Sequence, residues 1–190
     1  MNSRAASKPR QFLMFHKPKG AIVTLSDEGR RKTVYDILPG FVLKDGWRLD
    51  RDSRGLLLFT RDGGLVNRLT QPGQYSKIYE VWIRGRITEE QLPQTLKGVK
   101  TAIGILKLER VEISGYTGHK TRLLVELLEG KNRHIRRVFG ALKDTQFNSP
   151  LKVLDLKRIQ IGTVKLDIPS TKWRFLTHKE EKALIRGTAY

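Results

Sequence analysis

Trp47-Arg48-Leu49-Asp50-Arg51-Asp52-Ser53-Arg54-Gly55-Leu56-Leu57-Leu58-Phe59-Thr60 is the stretch around which the rest of this chain is organised. Alternating acids and arginines lead into residues 56–60, an apolar run bounded by glycines. A short continuous apolar run between turn signals predicts a buried β-strand. Carboxylates at the entrance of such a strand sit on a rigid base and still face solvent, where binding residues often lie. We therefore expect Asp50 to border a cleft; the alternative is a solvated charged turn.

Charge composition points to a polyanionic partner. The 190 residues include 37 Lys and Arg against 19 Asp and Glu, a formal net charge of +18. Such an excess favours nucleic acid over a small metabolite or a membrane surface. No apolar segment approaches the roughly 18 residues that span a bilayer, and no secretory apolar core follows the N-terminus. We expect a cytoplasmic protein.

The composition argues against disulfide bonds and against a metal site. The chain has no Cys and only four scattered His residues. Without Cys there is neither a disulfide framework nor a thiolate site, and the His spacing does not suit zinc. We expect no bound metal.

Periodicity and turn signals predict an α+β fold on a largely antiparallel sheet, because many strands occur with interspersed helices in no regular alternation. Residues 101–118 give no readable pattern beyond short strands and Gly-rich turns. The predicted strands are residues 11–15, 21–25, 56–60, 78–84, 121–128, 153–161 and 164–168. The predicted helical segments are 33–38, 63–69, 88–98, 135–142 and 178–186. Pro93 predicts an irregular start for the helix of residues 88–98.

The segment from Glu129 to Leu142 predicts a helix with two different faces. Apolar residues recur at i, i+3, i+4 and i+7, which is the spacing of a core stripe. Arginines occupy the opposite face at i, i+3 and i+4 and would point outward, to bind phosphates in bidentate geometry or to form a solvated basic face. The apolar stripe is Ile135, Val138, Phe139 and Leu142, and the basic face is Arg133, Arg136 and Arg137.

Two smaller features could also contact nucleic acid. The turn His16-Lys17-Pro18-Lys19-Gly20 would present Lys17 and Lys19 to a phosphate. Tyr79, in Lys77-Ile78-Tyr79 at the head of a predicted strand, offers a flat face for an unstacked base, although a lone Tyr on a strand is more often a core residue.

Together these motifs resemble the pseudouridine synthases that modify ribosomal RNA. The family pattern Gly-Arg-Leu-Asp-x-Asp-(Ser/Thr)-Glu-Gly-Leu-Leu aligns with residues 47–57, with Trp47 in place of Gly and Arg54 in place of Glu. The pattern Glu-Gly-Lys-Asn-Arg-Gln-(Ile/Val)-Arg-Arg aligns with residues 129–137, with His134 in place of Gln. A Lys-Pro-x-Gly turn and a Lys-x-Tyr strand complete the family order, so the resemblance runs from about Phe12 to Phe175.

The resemblance implies a mixed, largely antiparallel sheet with flanking helices, in two lobes around a basic cleft. Residues 1–10 would be a flexible basic tail, 11–186 a single catalytic domain without a separate N-terminal RNA-binding domain, and 187–190 a short tail. It further implies a monomer of the stand-alone type that isomerises one uridine of 23S rRNA, or of a large-subunit precursor. No cofactor is implied, since the reaction has no redox step.

Residue roles follow from the same resemblance. Asp50 would be the catalytic carboxylate, kept ionised by Arg136, and Arg48 would fill the gap left by the extruded uridine. The remaining support of the active site would come from Tyr79, which holds the base, and Ile135. Candidate RNA contacts are Lys17, Lys19, Lys131, Asn132, Arg133 and Arg137.

Two other readings remain open at this stage. A non-catalytic rRNA-binding or ribosome-assembly protein on the same scaffold would have the same charge, and Trp47 at the family glycine is compatible with a blocked site. A hydrolase could use Asp50 and Asp52 as a carboxylate pair, since at i, i+2 in extended chain they share a face. In the synthase reading, Asp52 is more simply a loop-capping residue.

Overall fold

A computed structural model describes residues 11–23, 33–37, 44–45, 48–60, 62, 64 and 73–187. Several sequence predictions concern other residues and lie outside this part of the chain. They are the tail of residues 1–10, the ends of two elements at Leu25 and Leu38, the helical turns within 63–69, and the last three residues. Trp47 also lies outside it.

The described elements alternate between strands and short helices without a repeat. They are Phe12–Lys17 (β1), Val34–Ile37 (α1), Lys44–Asp45 (β2), Arg54–Thr60 (β3), Lys77–Arg84 (β4), a 3-10 turn at Glu89–Gln91 that leads into Leu92–Lys97 (α2), Val99–Thr101 (β5), Gly104–Leu106 (β6), Arg110–Thr117 (β7), Lys120–Leu127 (β8), His134–Gly140 (α3), Lys152–Ile161 (β9), Val164–Lys165 (β10), Trp173–Phe175 (β11) and His178–Arg186 (α4).

Nine of these strands form one sheet. Its main order is β11-β1-β3-β9-β4-β8-β7, with β2 beside β3 and β10 beside β9, while β5 and β6 form a separate hairpin. Every pairing in the large sheet is antiparallel except that of β3 with β9, which is parallel. The predicted α+β class with a largely antiparallel sheet is confirmed.

The parallel junction between β3 and β9 is short and close. Only two residue pairs form it, Arg54 with Lys157 and Gly55 with Arg158. Gly55 has a φ of +111°, and a Cβ there would lie 2.2 Å from the carbonyl oxygen of Arg158. Glycine is therefore required for the two strands to meet. Arg54 strengthens the junction through an ion pair with Asp155, at 2.6 Å between Nη2 and Oδ2.

The half of the sheet around β1 and β3 is covered on both faces. All six residues of β1 are buried, as are residues 55–60 of β3. Leu184 of α4 packs in the cluster on one face and Val34 of α1 in the cluster on the other. This two-sided burial is why residues 56–60 form a continuous apolar run, so the predicted buried strand is confirmed.

The other half of the sheet buries a single face. On β4, Tyr79, Val81 and Ile83 are at most 6% exposed, while the side chains between them are partly exposed, as the alternating pattern predicted. Helix α3 covers this face, and its predicted apolar stripe is confirmed because every member is buried. The stripe consists of Ile135, Val138 and Phe139 on α3 and of Leu142, which follows it, because the helix ends at Gly140 and not at the predicted residue 142.

Some predicted elements differ from the structure. Residues 21–23 form no strand, because only an isolated bridge joins Ile22 to Thr33. The strand predicted for 164–168 ends at Lys165, and the unreadable segment 101–118 becomes the β5–β6 hairpin and strand β7. The irregular start of α2 and the terminal helix 178–186 are confirmed. Among the described residues, no helix is long and apolar enough to cross a membrane.

Candidate active site

Asp50 lies in the loop of residues 48–53 that leads directly into β3. Two backbone hydrogen bonds hold this loop: Ser53 N–H donates to the Asp50 carbonyl at 3.0 Å, and Gly20 N–H donates to the Arg51 carbonyl at 2.7 Å. The Asp50 side chain is partly buried. Within the described part of the chain its carboxylate has no hydrogen-bond or ion-pair partner. The loop thus presents a carboxylate that is positioned by the backbone and remains open to a ligand.

Lys17 lies beneath this loop, which corrects the expectation that it would be exposed to a phosphate. Its side chain is 0% exposed, and Nζ donates to the carbonyls of Ser53, Pro18 and Arg51 at 2.6, 3.1 and 3.3 Å. Burial lowers the pKa of Lys17 to about 8, although the charge of Asp50 opposes this shift. Lys17 therefore organises the backbone around Asp50 and does not face solvent.

A cleft of about 860 Å³ opens beside Asp50, between the two halves of the sheet. Its walls come from the Asp50 loop, from the start of β4, from the end of β8 and from the loop that leads into α3. The structure thereby brings together most of the predicted site residues. Those that line the cleft are Arg48, Asp50, Tyr79, Lys131, Asn132, Arg133 and Ile135.

Tyr79 and Ile135 form apolar parts of the wall. Tyr79 is 6% exposed, Ile135 is 3% exposed, and both belong to the core cluster of their half of the sheet. The Tyr79 hydroxyl makes no hydrogen bond to another described residue. The tyrosine therefore belongs to the core and borders the cleft at the same time.

The loop before α3 is held by His134, whose role the sequence did not indicate. His134 Nε2 donates to the Lys107 carbonyl at 2.9 Å, and Nδ1 accepts from Lys131 N–H at 3.4 Å. These contacts require the neutral ring, in agreement with burial, which lowers the His134 pKa. The backbone of Arg133 is then left-handed, with φ at 51°. An unusual conformation for a non-glycine residue thus directs Arg133 back across the cleft.

Arg133 reaches the aspartate loop and pairs with Asp52. Both of its Nη atoms lie 3.2 Å from the Asp52 carboxylate oxygens. Burial acts to raise the pKa of the Asp52 carboxyl, but the hydrogen bonds from Arg133 and the charge of Arg136 bring it below its usual value. Asp52 is therefore a bridge between the loop and α3, a role that goes beyond the expected loop-capping one.

Arg136 points inward, which corrects the expectation of three outward guanidiniums. Its side chain is 12% exposed and lies 3.4 Å from the Asp52 carboxylate. It also donates to the carbonyls of Asp52 and Val153 at 3.0 and 3.1 Å. Its direct carboxylate partner is therefore Asp52 and not Asp50, whose charge acts on Arg136 only through space.

Two further residues predicted to contact RNA, Asn132 and Arg137, form hydrogen bonds with each other. Arg137 folds back on Asn132, with Nε donating to the backbone carbonyl at 3.0 Å and Nη2 to the side-chain oxygen at 3.1 Å. Lys19 lines a neighbouring groove and not this cleft. Lys131 is exposed at the cleft.

Two buried cations of the cleft were missed as site residues. Lys77 is 8% exposed and donates to the carbonyls of Leu128 and Tyr75 at 3.0 and 3.2 Å; burial lowers its pKa to about 8. Arg158 is 2% exposed and donates from Nε to the Leu56 carbonyl at 2.9 Å. The sequence marked Lys77 only as the first residue of the Lys-x-Tyr pattern, and Arg158 only as a charged residue within a predicted strand. Neither signal identifies the carbonyls to which these cations donate.

The arrangement suits an anionic ligand that carries a flat apolar group. Cations surround the cleft, and a tyrosine and aliphatic side chains form its wall. Two carboxylates border it: Asp50, partly buried on the loop before β3, and the exposed Glu129. Within the described residues, no group of three or more His, Asp or Glu side chains could hold a metal ion. Asp50 differs from Glu129 in that Lys17 and two backbone hydrogen bonds fix its loop.

Comparisons with known proteins identify the family. Residues 11–141 match the family described as RNA pseudouridylate synthase. The ribosomal large subunit pseudouridine synthase B of Vibrio cholerae is 35% identical over 177 residues, 90% of this chain and 53% of that protein. An uncharacterized RNA pseudouridine synthase of Aquifex aeolicus is 31% identical over 185 residues, 94% of this chain and 71% of that protein.

A solved structure agrees with this relationship. The crystal structure of a pseudouridylate synthase superposes with a TM-score of 0.76 at 27% identity, covering 93% of this chain and 74% of that one. The chain spans about half the length of the curated synthase B relatives that it matches. The matched segment contains the Asp50 loop, the Lys77–Tyr79 strand and the arginine-rich helix, and we conclude that this chain belongs to the RNA pseudouridylate synthase family.

Proposed function

We propose that this protein isomerises a uridine of large-subunit ribosomal RNA to pseudouridine, with Asp50 as the essential carboxylate. The observation that carries the proposal is the open carboxylate of Asp50 at the edge of a cation-lined cleft. The substrate class is supported by the names of the synthase B relatives. Sequence reasoning favoured the stand-alone type, synthase E, whose target is one uridine of 23S rRNA; this finer assignment stays a prediction.

The reaction breaks the bond between N1 and C1′, turns the uracil and joins C5 to C1′. C5 loses its proton and N1 gains one, so the product is an isomer of the substrate. Nothing is oxidised or reduced, so the proposal needs no cofactor. Asp50 would act on the sugar, either as a nucleophile at C1′ or as a base that removes the C2′ proton. Both routes need an ionised carboxylate, and the charges of Lys17 and Arg136 act on Asp50 through space.

The cleft residues would divide between base and backbone. Tyr79 would support the extruded uracil, with Ile135 beside it, and Arg48 would occupy the gap left in the RNA. Lys131 and Arg133 would contact phosphates, with the affinity falling steeply as salt rises. Lys17 is not part of this set, because it is buried beneath the Asp50 loop.

We also propose that the protein acts in the cytoplasm, where the ribosomes of the bacteria that hold its relatives assemble. We further propose that residues 11–186 form one catalytic domain that acts as a monomer. The hydrolase reading loses support, because Asp52 is engaged by Arg133 and Arg136 and so cannot serve as a second free carboxylate next to Asp50.

The test is tritium release from a 23S rRNA transcript labelled at uridine C5, with Asp50→Asn as the matched variant. Release by the parent protein and none by Asp50→Asn, at equal RNA affinity, would support the isomerase. If the parent bound the transcript without release, the assay would be repeated on precursor particles of the large subunit. If no tritium were released from the particles either, the protein would be a non-catalytic RNA-binding protein. Trp47→Gly would then test whether Trp47 blocks the site.

A further inference from the structure

A second basic groove adjoins the active-site cleft. It has a volume of about 450 Å³, and Arg133 lines both cavities. The groove is otherwise built from the end of α3, the beginning of β9 and the turn after β1. Its charged lining residues are Lys19, Asp52, Arg133, Arg136 and Lys152.

This groove has more positively charged side chains than carboxylates to pair with them. Four cationic side chains line it, and the carboxylate of Asp52 is shared by two of them, Arg133 and Arg136. Lys19 Nζ donates to the Leu154 carbonyl at 3.2 Å. The exposed ammonium of Lys152 has no hydrogen-bond or ion-pair partner elsewhere in the described residues. A cluster of four cations with one shared carboxylate attracts a polyanion.

The groove also has a floor on which a nucleic-acid strand can lie. Leu151 and Val153 are 2% and 7% exposed, and Leu154 is partly exposed beside them. At the end of α3, Gly140 is exposed, and a Cβ added there would meet no atom within 4 Å. The entrance is therefore open on that side, and a side chain at residue 140 would project into empty space.

We propose that this groove binds the phosphodiester backbone of nucleotides that flank the target uridine. The inference rests on the proposed function. An extruded nucleotide takes its base into the cleft, while the strand on either side must continue over the protein surface. Arg133 belongs to both cavities, so a strand that leaves the cleft past Arg133 enters a groove that still offers Lys19 and Lys152.

Residue 140 gives a direct test, because it touches neither Asp50 nor the cleft. Gly140→Glu places a carboxylate in the groove, Gly140→Lys adds a cation, and Gly140→Ala is the matched neutral control. Binding of a 23S rRNA transcript would be measured by filter retention over a series of KCl concentrations. We expect Gly140→Glu to bind about 10-fold more weakly, Gly140→Lys to bind more tightly, and Gly140→Ala to match the parent within about 2-fold.

Lys152→Gln removes the cation that has no internal partner. We expect about 3-fold to 10-fold weaker binding and a salt slope, log K against log salt, that is shallower by about 0.7. Lys179→Gln, on the exposed surface of α4 and outside both cavities, is the control and should leave affinity and slope unchanged.

The possible outcomes separate the two proposals. If the parent binds and isomerises the transcript but the Gly140 and Lys152 variants bind like it, the groove is excluded and the proposed function stands. If the parent neither binds nor isomerises rRNA, the proposed function fails and the groove inference fails with it. Tighter binding by Gly140→Lys could not result from misfolding, so that variant decides whether a loss in Gly140→Glu reflects charge.

Discussion

Lys17 places an ammonium group under the loop that carries Asp50, where three backbone carbonyl oxygens surround it. Buried carbonyls need donors, and a donor that bonds three of them at once restricts the loop more than any single hydrogen bond would. The consequence for function is indirect. The loop backbone sets the direction of Asp50 before a substrate arrives.

We predict that Lys17→Met destabilises the fold by about 2–4 kcal/mol, because the carbonyls of Ser53 and Pro18 lose the Lys17 donor and that of Arg51 keeps only Gly20 N–H. Methionine keeps an unbranched side chain of similar length, so packing changes little. Lys19→Met, in the same turn but with its amine exposed, should change the free energy of unfolding by less than about 0.5 kcal/mol. Urea denaturation of both variants measures the difference, and equal values would contradict this role of Lys17.

Tyr79 gives a second prediction for a single residue. If the ring supports the uracil by stacking, Tyr79→Phe should keep conversion within about 3-fold of the parent, whereas Tyr79→Leu should lose about 10-fold to 100-fold. Single-turnover conversion of a 23S rRNA transcript measures both. A large loss in Tyr79→Phe would instead assign the role to the hydroxyl, which has no hydrogen-bond partner in the described residues.

At the scale of elements, helix α3 and the loop before it act as a unit. His134 joins the loop to the Lys107 carbonyl, the loop directs Arg133 to Asp52, and Arg136 binds the Asp52 carbonyl one helical turn later. The aspartate loop is therefore connected to α3 through Asp52, while Asp50 is left open. The family pattern has Gln at position 134, and an amide can also donate and accept.

His134 makes this element sensitive to pH. Its folded-state pKa lies below the ordinary value of 6.5, mainly because of burial. Its contribution to stability is therefore complete above about pH 6.5 and is lost as pH falls towards the lower folded pKa. Protonation would also turn the Nδ1 acceptor, which receives Lys131 N–H, into a donor.

We predict that His134→Gln loses less stability than the parent between pH 7 and pH 5, because its amide keeps both hydrogen bonds without titrating. Thermal unfolding at pH 7, 6 and 5 would measure this. His16, whose pKa burial also lowers, is present in both proteins, so the difference between the two profiles isolates His134. Parallel pH profiles for the parent and His134→Gln would show that His134 is not responsible.

At the scale of the whole molecule, the junction of β3 and β9 connects the two halves of the sheet. It has only two residue pairs, reinforced by the ion pair of Arg54 with Asp155. The Asp50 loop enters the sheet on one side of this junction, and Tyr79 belongs to the other half. The width of the cleft therefore depends on how closely β3 and β9 approach.

We predict that Gly55→Ala destabilises the protein by more than about 3 kcal/mol and reduces conversion, because its Cβ would collide with the Arg158 carbonyl. Gly104→Ala is a matched control: its φ of +105° is close to the +111° of Gly55, but no atom lies within 4 Å of the added Cβ. Gly104→Ala should cost about 1 kcal/mol, from backbone strain alone. Urea denaturation compares the two, and similar losses would show that close approach is unimportant.

The sequence by itself determined the features that are local or periodic. The continuous apolar run of residues 56–60 predicted a buried strand. The spacing of Ile135, Val138, Phe139 and Leu142 predicted a buried apolar stripe, three of whose members lie on α3. Ordered motifs identified the family. Each of these signals is contained in a few neighbouring residues, because strand and helix geometry repeat every two or 3.6 positions.

Only the tertiary structure decided which charges face solvent and which partners they take. Lys17 and Lys19 are neighbours in one turn, yet one is buried beneath residues 51–53 and the other lines a separate groove. Arg136 lies on a helix but meets Asp52, which is 84 positions away in the chain. The neighbouring sequence of a basic residue looks the same whether its side chain is buried or exposed. Its burial depends on carbonyls and carboxylates brought to it by distant strands, and no local period encodes that distance.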